Sequence, residues 1–315
     1  MNIANHSVKV VGVFVLLCIF TVTGFGQDLY PTLGARSVGM GTVSTAVMRG
    51  AEALYWNPAA IAWDEGWSIA GSFTMSSPDT KEQFFAATYS PFEESVLGVG
   101  FHRQKKIDVD GIAFGFILGY ASTIVENQMA LGITFQTFES QNGTNGFRLS
   151  LGMQYRPYKS LTFGTVVLSR HTYGDEANEI RVPFHAKTGF MYSPVRWIAL
   201  AVDWELSRIS SLKVGRIKED GELVRMNYGI ELTLPMEIFW SEGKEVIDIK
   251  FRGGTKSGIT EAIIEGEYYH WKHPWDEGGL SIGCGVELKS ISPKIALNIA
   301  VSESRSYIGG FSVRF

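Results

Sequence analysis

Residues 129–136 read MALGITFQ, and their pattern carries the fold: Met129, Leu131, Ile133 and Phe135 alternate with Ala130, Gly132, Thr134 and Gln136. A period of two puts the large apolar side chains on one face of a strand and the small or polar ones on the other. The same alternation recurs along the chain. Leu97, Val99 and Phe101 stand against Gly98, Gly100 and His102; Phe147, Leu149, Leu151 and Met153 against Arg148, Ser150, Gly152 and Gln154. Further on, Met226, Tyr228, Ile230, Leu232 and Leu234 stand against Asn227, Gly229, Glu231 and Thr233. Leu280, Ile282, Cys284, Val286 and Leu288 alternate with Ser281, Gly283, Gly285, Glu287 and Lys289.

A soluble two-sheet sandwich also alternates, with its bulky face inward. Three features favour a membrane wall. The strands run about 9–11 residues, enough to cross a bilayer at a tilt. Aromatics gather at strand ends, in Tyr155 and Tyr158, Tyr192, Trp197 and Trp204, and Phe239 and Trp240, as an interfacial girdle would require. The 35 glycines far outnumber the 10 prolines and lie inside strands rather than in linkers. That costs packing in a sandwich but makes room on the inner side of a barrel. Fifteen candidate strands can be drawn, near 67–75, 82–91, 95–103, 111–121, 127–138, 146–156, 160–170, 183–193, 196–206, 225–235, 245–252, 259–269, 279–289, 294–302 and 307–315. Single-chain barrels close on an even number. The two weakest candidates are 67–75 and 259–269, and the expectation is an all-β, antiparallel transmembrane barrel of about 14 strands.

Short connections containing Pro91, Pro157, Pro194 and Pro293 suit turns on one side of the membrane. Longer ones, near 103–111, 138–146, 171–182, 207–224 and 269–279, belong to the other. Arg148, Asp203, Glu231, Glu287 and Lys289 fall on the small or polar side of their strands. A basic group facing lipid at mid-membrane costs roughly 2–4 kcal/mol, so these charges are expected to face the lumen.

Residues 1–26 read as a secretory signal: a weakly basic start at Lys9, the apolar run Val10 to Val22, and Gly24 and Gly26 before Gln27. The run is too short to span a bilayer, and Leu17 before Cys18 is unlike a lipoprotein site. After cleavage only Cys284 remains, which excludes an internal disulfide framework. A formal charge of −4 offers no extended basic surface for nucleic acid.

Between the signal and the first strand lies GARSVGMGTVSTAVMRGAEALYWNPAAIA, residues 34–62. Gly34, Gly39, Gly41 and Gly50 permit tight bends or close approach of the backbone. Ala51 to Tyr55 can form a short helix, and Asn57 can cap a second over 58–62, with Pro58 in its first turn. The glycine spacing is not a dinucleotide fingerprint, because no strand precedes it and no long helix follows. The segment 27–65 is too short for a domain and fits inside a lumen, which leaves 66–315 for the barrel.

This segment resembles the N-terminal motif of outer-membrane barrels in the long-chain fatty acid transporter (FadL/OmpP1) superfamily, closest to the PorV/PorQ family. The resemblance rests on Gly34-Ala35-Arg36, Gly39-Met40-Gly41, Glu52 and Ala53-Leu54-Tyr55-Trp56-Asn57-Pro58-Ala59. It implies a fourteen-stranded barrel in the bacterial outer membrane with this segment as an inner hatch. It also implies a docking or binding role in type IX secretion, with a translocon or secreted cargo as partner. Transport of long-chain fatty acids or other hydrophobic small molecules, and a purely structural plugged barrel, are the alternatives. The final strand, with Tyr307, Phe311, Val313 and Phe315 on one face, is similar to the signal read by the barrel assembly machinery. His270, His273 and Asp276 lack the helix that would bring metal ligands together. Ser169, His171 and Asp175 do not assemble a triad on a strand. Neither an enzyme nor a cofactor is expected.

Overall fold

The computed structural model describes residues 33–76, 80–92, 94–106, 113–125, 128–139, 145–173, 179–181, 184–213, 216–240, 243–256, 260–263, 268–269, 279–289, 293–302 and 306–315. The signal segment 1–26, His270, His273, Asp175 and Asp276 lie outside these residues, as do the side chains of His171, Phe239 and Trp240.

Fourteen long strands form the wall: β1 Trp67–Ser76, β2 Thr80–Phe92, β3 Ser95–Lys106, β4 Ala113–Val125, β5 Met129–Glu139, β6 Asn145–Tyr158 and β7 Leu161–Tyr173, then β8 Phe184–Val195, β9 Ile198–Lys213, β10 Arg216–Trp240, β11 Gly243–Lys256, β12 Leu280–Leu288, β13 Lys294–Ser302 and β14 Ser306–Arg314. Each pairs antiparallel with its neighbour in sequence, and β14 pairs with β1 from Ser68↔Arg314 to Ser76↔Ser306. The sheet is therefore a closed barrel, with no edge left to pair elsewhere. Phe315 N–H donates to the Trp67 carbonyl at 2.9 Å, which completes the seam.

Of the two weak candidates, 67–75 is a full wall strand and 259–269 is not. β11 pairs directly with β12, from Thr255↔Leu280 to Ile247↔Leu288. Thr260–Ile263 forms only a short extension on β10 and pairs with Tyr268–Tyr269. The ladder also replaces the long connection expected over 207–224. β9 and β10 stay paired out to Lys213↔Arg216, with a bulge between Ile209 and Ser210. Pairing satisfies backbone groups that an open loop would leave to water. At 25 residues β10 is far longer than a membrane crossing needs, so this hairpin projects well beyond the wall.

Pro91, Pro157 and Pro194 share one device. Each sits where the ladder skips, between Tyr89↔Leu97 and Phe92↔Ser95, between Tyr155↔Phe163 and Tyr158↔Leu161, and between Leu200↔Tyr192 and Ile198↔Val195. Proline has no N–H for the ladder, and an irregularity at the turn absorbs the loss.

The bulky faces point outward. Phe116, Leu118, Leu151, Leu297 and Ile299 are all more than half exposed, while Ala86, Ile117, Ala121, Ala130 and Ser150 on the opposite face are buried. In water such an apolar belt would demand a partner; on an outer-membrane barrel it is the lipid surface. Trp67, Tyr89, Phe92, Tyr158 and Trp197 crowd the short-turn end of that surface, and Trp67 stacks on Tyr89 at 4.4 Å. No described helix is long and apolar enough to cross a membrane; the crossing is made by strands.

Candidate functional site

Fourteen strands enclose more space than their own side chains fill. Residues 33–64 pack on the short-chain face of the wall as three brief turns: α1 Ala35–Gly39, α2 Ala53–Trp56, and a 3₁₀ turn Pro58–Trp63. Almost every side chain in the segment is buried. None of these turns would persist alone in water, so their stability comes from the wall.

The wall receives them with glycines. A Cβ at Gly132 would lie 2.4 Å from the Pro58 carbonyl carbon, and one at Gly152 would lie 2.2 Å from Asn57 Oδ1. Equivalent atoms at Gly98 and Gly119 would meet Leu54, at Gly164 the Thr45 carbonyl, at Gly229 and Gly254 Met40, and at Gly283 the Cα of Gly39. A stripe of missing side chains therefore runs around the inner wall at the height of the segment. Gly41 reciprocates from the segment side. Its φ is +70°, and its own Cβ would collide with Thr255 N and the Tyr228 carbonyl.

Two kinds of contact hold the segment, and their proportion changes around the circumference. Toward β1–β5 the interface is apolar: Leu33, Met48, Leu54, Tyr55, Ala59 and Ile61 form one cluster with Ala70, Phe84, Ala86, Val96, Ile117, Ala121 and Ala130 of the wall. Toward β8–β14 it mixes apolar contacts, of Met40, Val43 and Val47 with Met191 and Ala201 and of Ala35 and Val38 with Ala300 and Ile308, with buried ion pairs. Arg36 grips Glu231 with two bonds, at 3.0 and 3.2 Å, while Arg252 reaches the same carboxylate at 2.6 Å and Asn298 at 2.9 Å. Glu287 pairs with Lys250 and, at 2.6 Å, with Arg314; Lys289 lies exposed at the turn end of this row and pairs with Asp248. Asp203 is fully buried. Its Oδ2 accepts from Ser44 N at 2.7 Å, Thr45 N at 3.0 Å and Thr45 Oγ1 at 2.9 Å, and pairs with Lys187 Nζ at 3.1 Å. Lys187 in turn donates to the Thr42 carbonyl at 2.8 Å. Thr42 has φ +65°, a conformation that costs a β-branched residue energy, and this grip helps to hold it there.

Asn57 ties the pieces together. Its Oδ1 accepts from Ala59 N at 3.1 Å and caps the 3₁₀ turn, while its Nδ2 donates to the Thr45 carbonyl at 2.8 Å and to the Met153 carbonyl at 3.2 Å. Trp56 Nε1 donates to the Leu33 carbonyl at 3.2 Å. Tyr55 lies edge-on to Trp56, with the Arg148 guanidinium 4.3 Å over its ring and bonded to its carbonyl at 3.1 Å. The Glu52 carboxylate fills the space beside Gly34, and burial pushes it up to about 7 against the pull of Arg36 and Arg252. Burial likewise raises Asp64 to about 6. On the final strand Tyr307, Phe311 and Phe315 lie on the exposed outer face and Val313 is half-buried.

Lys187, Lys250 and Arg252 escape a reading that stops at the longest alternating runs. Parity exposes them: Lys187 shares a face with Gly189 and Met191, and Arg252 with Lys250 and Asp248. Ser44 and Thr45 carry no signal of their own in sequence. Among the described residues no group of three His, Cys, Asp or Glu could hold a metal ion.

No family model and no curated protein matches the chain. Solved structures do. A structure described as the CymD monoaromatic hydrocarbon channel is 11% identical with a TM-score of 0.59, over 90% of this chain and 97% of that one. The Pseudomonas putida toluene transporter TodX gives 10% and 0.56 over 94% and 99%. A Pseudomonas aeruginosa FadL homologue gives 9% and 0.56 over 92% and 97%. At such identities the likeness is one of fold: this chain has the fold of FadL-type outer-membrane barrels. The expectation of a PorV/PorQ-like docking component for type IX secretion is corrected by these comparisons, which lead to hydrocarbon channels and a FadL homologue. The translocon and secreted cargo fall with it. The motif around Ala53-Leu54-Tyr55-Trp56-Asn57-Pro58 misled on this point because its residues answer to wall glycines, a demand of packing that carries no information about secretion.

Proposed function

We propose that this chain is an outer-membrane passage for hydrophobic small molecules, a member of the FadL/OmpP1 superfamily in which residues 27–65 form a hatch within the lumen of the barrel 66–315. One observation supports this reading above the rest. The apolar cluster between the hatch and β1–β5 runs from Phe84 and Ile117, toward the loop end, to Val96, Ala121 and Ala130, toward the turn end. A greasy solute moving along this side exchanges one apolar contact for another. Along β8–β14 the apolar contacts are interrupted by buried ion pairs, which it would have to displace at a cost. The fold shared with toluene and monoaromatic hydrocarbon channels points the same way. On this reading the face bearing Tyr307, Phe311, Val313 and Phe315 serves recognition by the barrel assembly machinery, with outer-membrane lipid as the permanent neighbour of the wall.

On this reading the segment, which packs against β13 and β14 through Ala35 and Val38, has to move for passage. Ala35 Cβ would lie 3.7 Å from a Cβ at Gly310, within the range of a disulfide. The double substitution Ala35→Cys and Gly310→Cys, in a Cys284→Ser background, therefore locks the hatch to β14. Uptake of a labelled monoaromatic hydrocarbon and of labelled decanoate into proteoliposomes is expected to fall on oxidation and to return on reduction. Uptake that never exceeds that of protein-free vesicles, in either redox state, would leave a plugged structural wall and overturn the proposal.

A further inference from the structure

The outer face of β2 and β3 carries three cations at its loop end. Phe85, Leu97 and Val99 point outward on these strands, and Lys81, Arg103 and Lys105 share their parity. Lys81 and Lys105 are exposed and Arg103 is half-buried. Lys81 stands directly across the ladder from Lys105, and Gln83 across from Arg103. Like charges set opposite each other on a sheet repel, and among the described residues no acid pairs with any of the three. Arg103 donates to Gln83 Oε1 at 3.4 Å, while its Nε is shielded from solvent without a partner. Glu82 and Gln104, the neighbours in sequence, turn inward and bond to each other at 2.7 Å. The flanking outward positions are Met75 and then Tyr307 beyond Lys81, and Phe114 beyond Arg103, with Glu139 a further strand away.

Height decides what can answer these charges. Lys81 lies eleven positions along β2 from Phe92, and Lys105 ten along β3 from Ser95. At about 3.4 Å per residue and a tilt of about 40°, the lysines stand roughly 26–29 Å above the turn end. The apolar band of an outer-membrane barrel is about 25 Å tall, so both ammonium groups sit at its far boundary. Arg103 lies just inside, where a long side chain keeps its charge toward the headgroups. Longer connections face the cell exterior in such barrels, so this boundary belongs to the outer leaflet. Below the cations, Phe101 meets Phe114 at 6.0 Å and Phe116 at 5.5 Å, and Phe85 lies half exposed. We infer that Lys81, Arg103 and Lys105 form a site for the phosphate of an outer-leaflet lipid, whose acyl chains lie on Phe85, Phe101 and Phe116. The site is on the outside of the wall and does not depend on whether anything crosses the lumen. A phosphate between Lys81 and Lys105 turns one repulsion into two attractions and offers Arg103 Nε the acceptor it lacks. A lipid without phosphate gains only the apolar contact that any part of the belt provides.

The test uses the full mature protein in mild detergent, titrated with bisphosphorylated lipid A and with the same lipid stripped of its phosphates. Native mass spectrometry is expected to give the phosphorylated lipid a Kd lower by about tenfold or more, a preference that shrinks as salt is added. The triple variant Lys81→Gln, Arg103→Gln, Lys105→Gln is expected to lose that preference and to bind the stripped lipid as before. Removing two exposed lysines at the turn end instead, by Lys159→Gln and Lys294→Gln, is expected to keep it. Lys105→Gln alone should raise the thermal midpoint of the lipid-free protein, because it relieves the repulsion, and lower the midpoint in the presence of phosphorylated lipid. Equal binding of the two lipids by the unaltered protein overturns the inference, whether or not any variant folds. An equal loss of preference in the turn-end variant overturns it in favour of net charge. Displacement of the lipid by millimolar inorganic phosphate overturns it in favour of a dissolved anion.

Discussion

Replacing Asp203 with alanine is expected to unfasten the middle of the hatch. Asp203 Oδ2 accepts two backbone N–H groups and one hydroxyl and faces Lys187 at 3.1 Å, with both side chains at most 5% exposed. Hydrogen bonds to a charged acceptor contribute about 1.5–3 kcal/mol each and do not simply add. Removing one partner of a buried ion pair costs about 3–5 kcal/mol, because the other charge stays buried and uncompensated. The second effect dominates, so Asp203→Ala is expected to destabilise the docked hatch by about 3–5 kcal/mol. Lys187→Met alone leaves Asp203 its three donors and is expected to cost less, about 2 kcal/mol. The double variant removes the orphaned charge, so its cost should fall short of the sum of the two by about 1.5 kcal/mol or more. Denaturant-dependent proteolysis of residues 33–64 in detergent reads the docking energy. The heat-modifiable mobility of the barrel in electrophoresis reports separately that the wall is intact. Additive single and double variants, or an Asp203→Ala protein whose segment is as well protected as the original, would refute the reasoning.

Three further outcomes are expected. Gly132→Ala places a methyl group 2.4–2.6 Å from the Pro58 and Ala59 backbone and should cost about 1–3 kcal/mol of hatch docking as overpacking, whereas Gly253→Ala, whose nearest neighbour is a flexible side-chain atom at 3.7 Å, should leave protease protection unchanged. Burial raises Glu52 to about 7 and Asp64 to about 6, so the docked hatch binds more protons than the undocked one; docking is strongest below the ordinary carboxyl range and weakens as pH rises from about 4.5 to 7, and Glu52→Gln should flatten that profile of proteolysis against pH. Leu118→Arg puts a charge on the outer face at the middle of β4 and should cost about 2–4 kcal/mol in lipid vesicles, a loss that a two-sheet soluble core would not make dependent on lipid.

The wall was legible because a half-exposed strand writes its geometry in a period of two. Met129 to Gln136 needed nothing more, and parity placed Glu231 on the same face as Gly229 and Asp203 on the same face as Ala201. Counting was harder, because local pattern does not say which strand finds a partner across the seam. The stretch 67–75 is a wall strand by virtue of β14, some 240 residues away. Residues 259–269 alternate well enough but lose their place when β11 pairs with β12. The segment 33–64 was legible as a compact apolar piece, with Asn57 placed to cap a turn. Its fastening was not, since whether Thr45 meets Asp203 depends on a register set far away in sequence. The finer functional branch failed for a related reason: a motif selected for fit inside a barrel says little about what the barrel carries.

The ring of glycines on the inner wall has a consequence for how such proteins can change. Each missing side chain is matched to a particular backbone or side-chain atom of residues 39–59, so the two parts are cast against each other like a key and its blank. Drift on the lipid face is cheap, since one oily residue serves about as well as another. Drift at Gly132, Gly152 or Gly254 has to be answered by a change in residues 40–59. A hatch grafted from a relative would therefore be refused by this barrel unless the recipient's glycines were moved along with it.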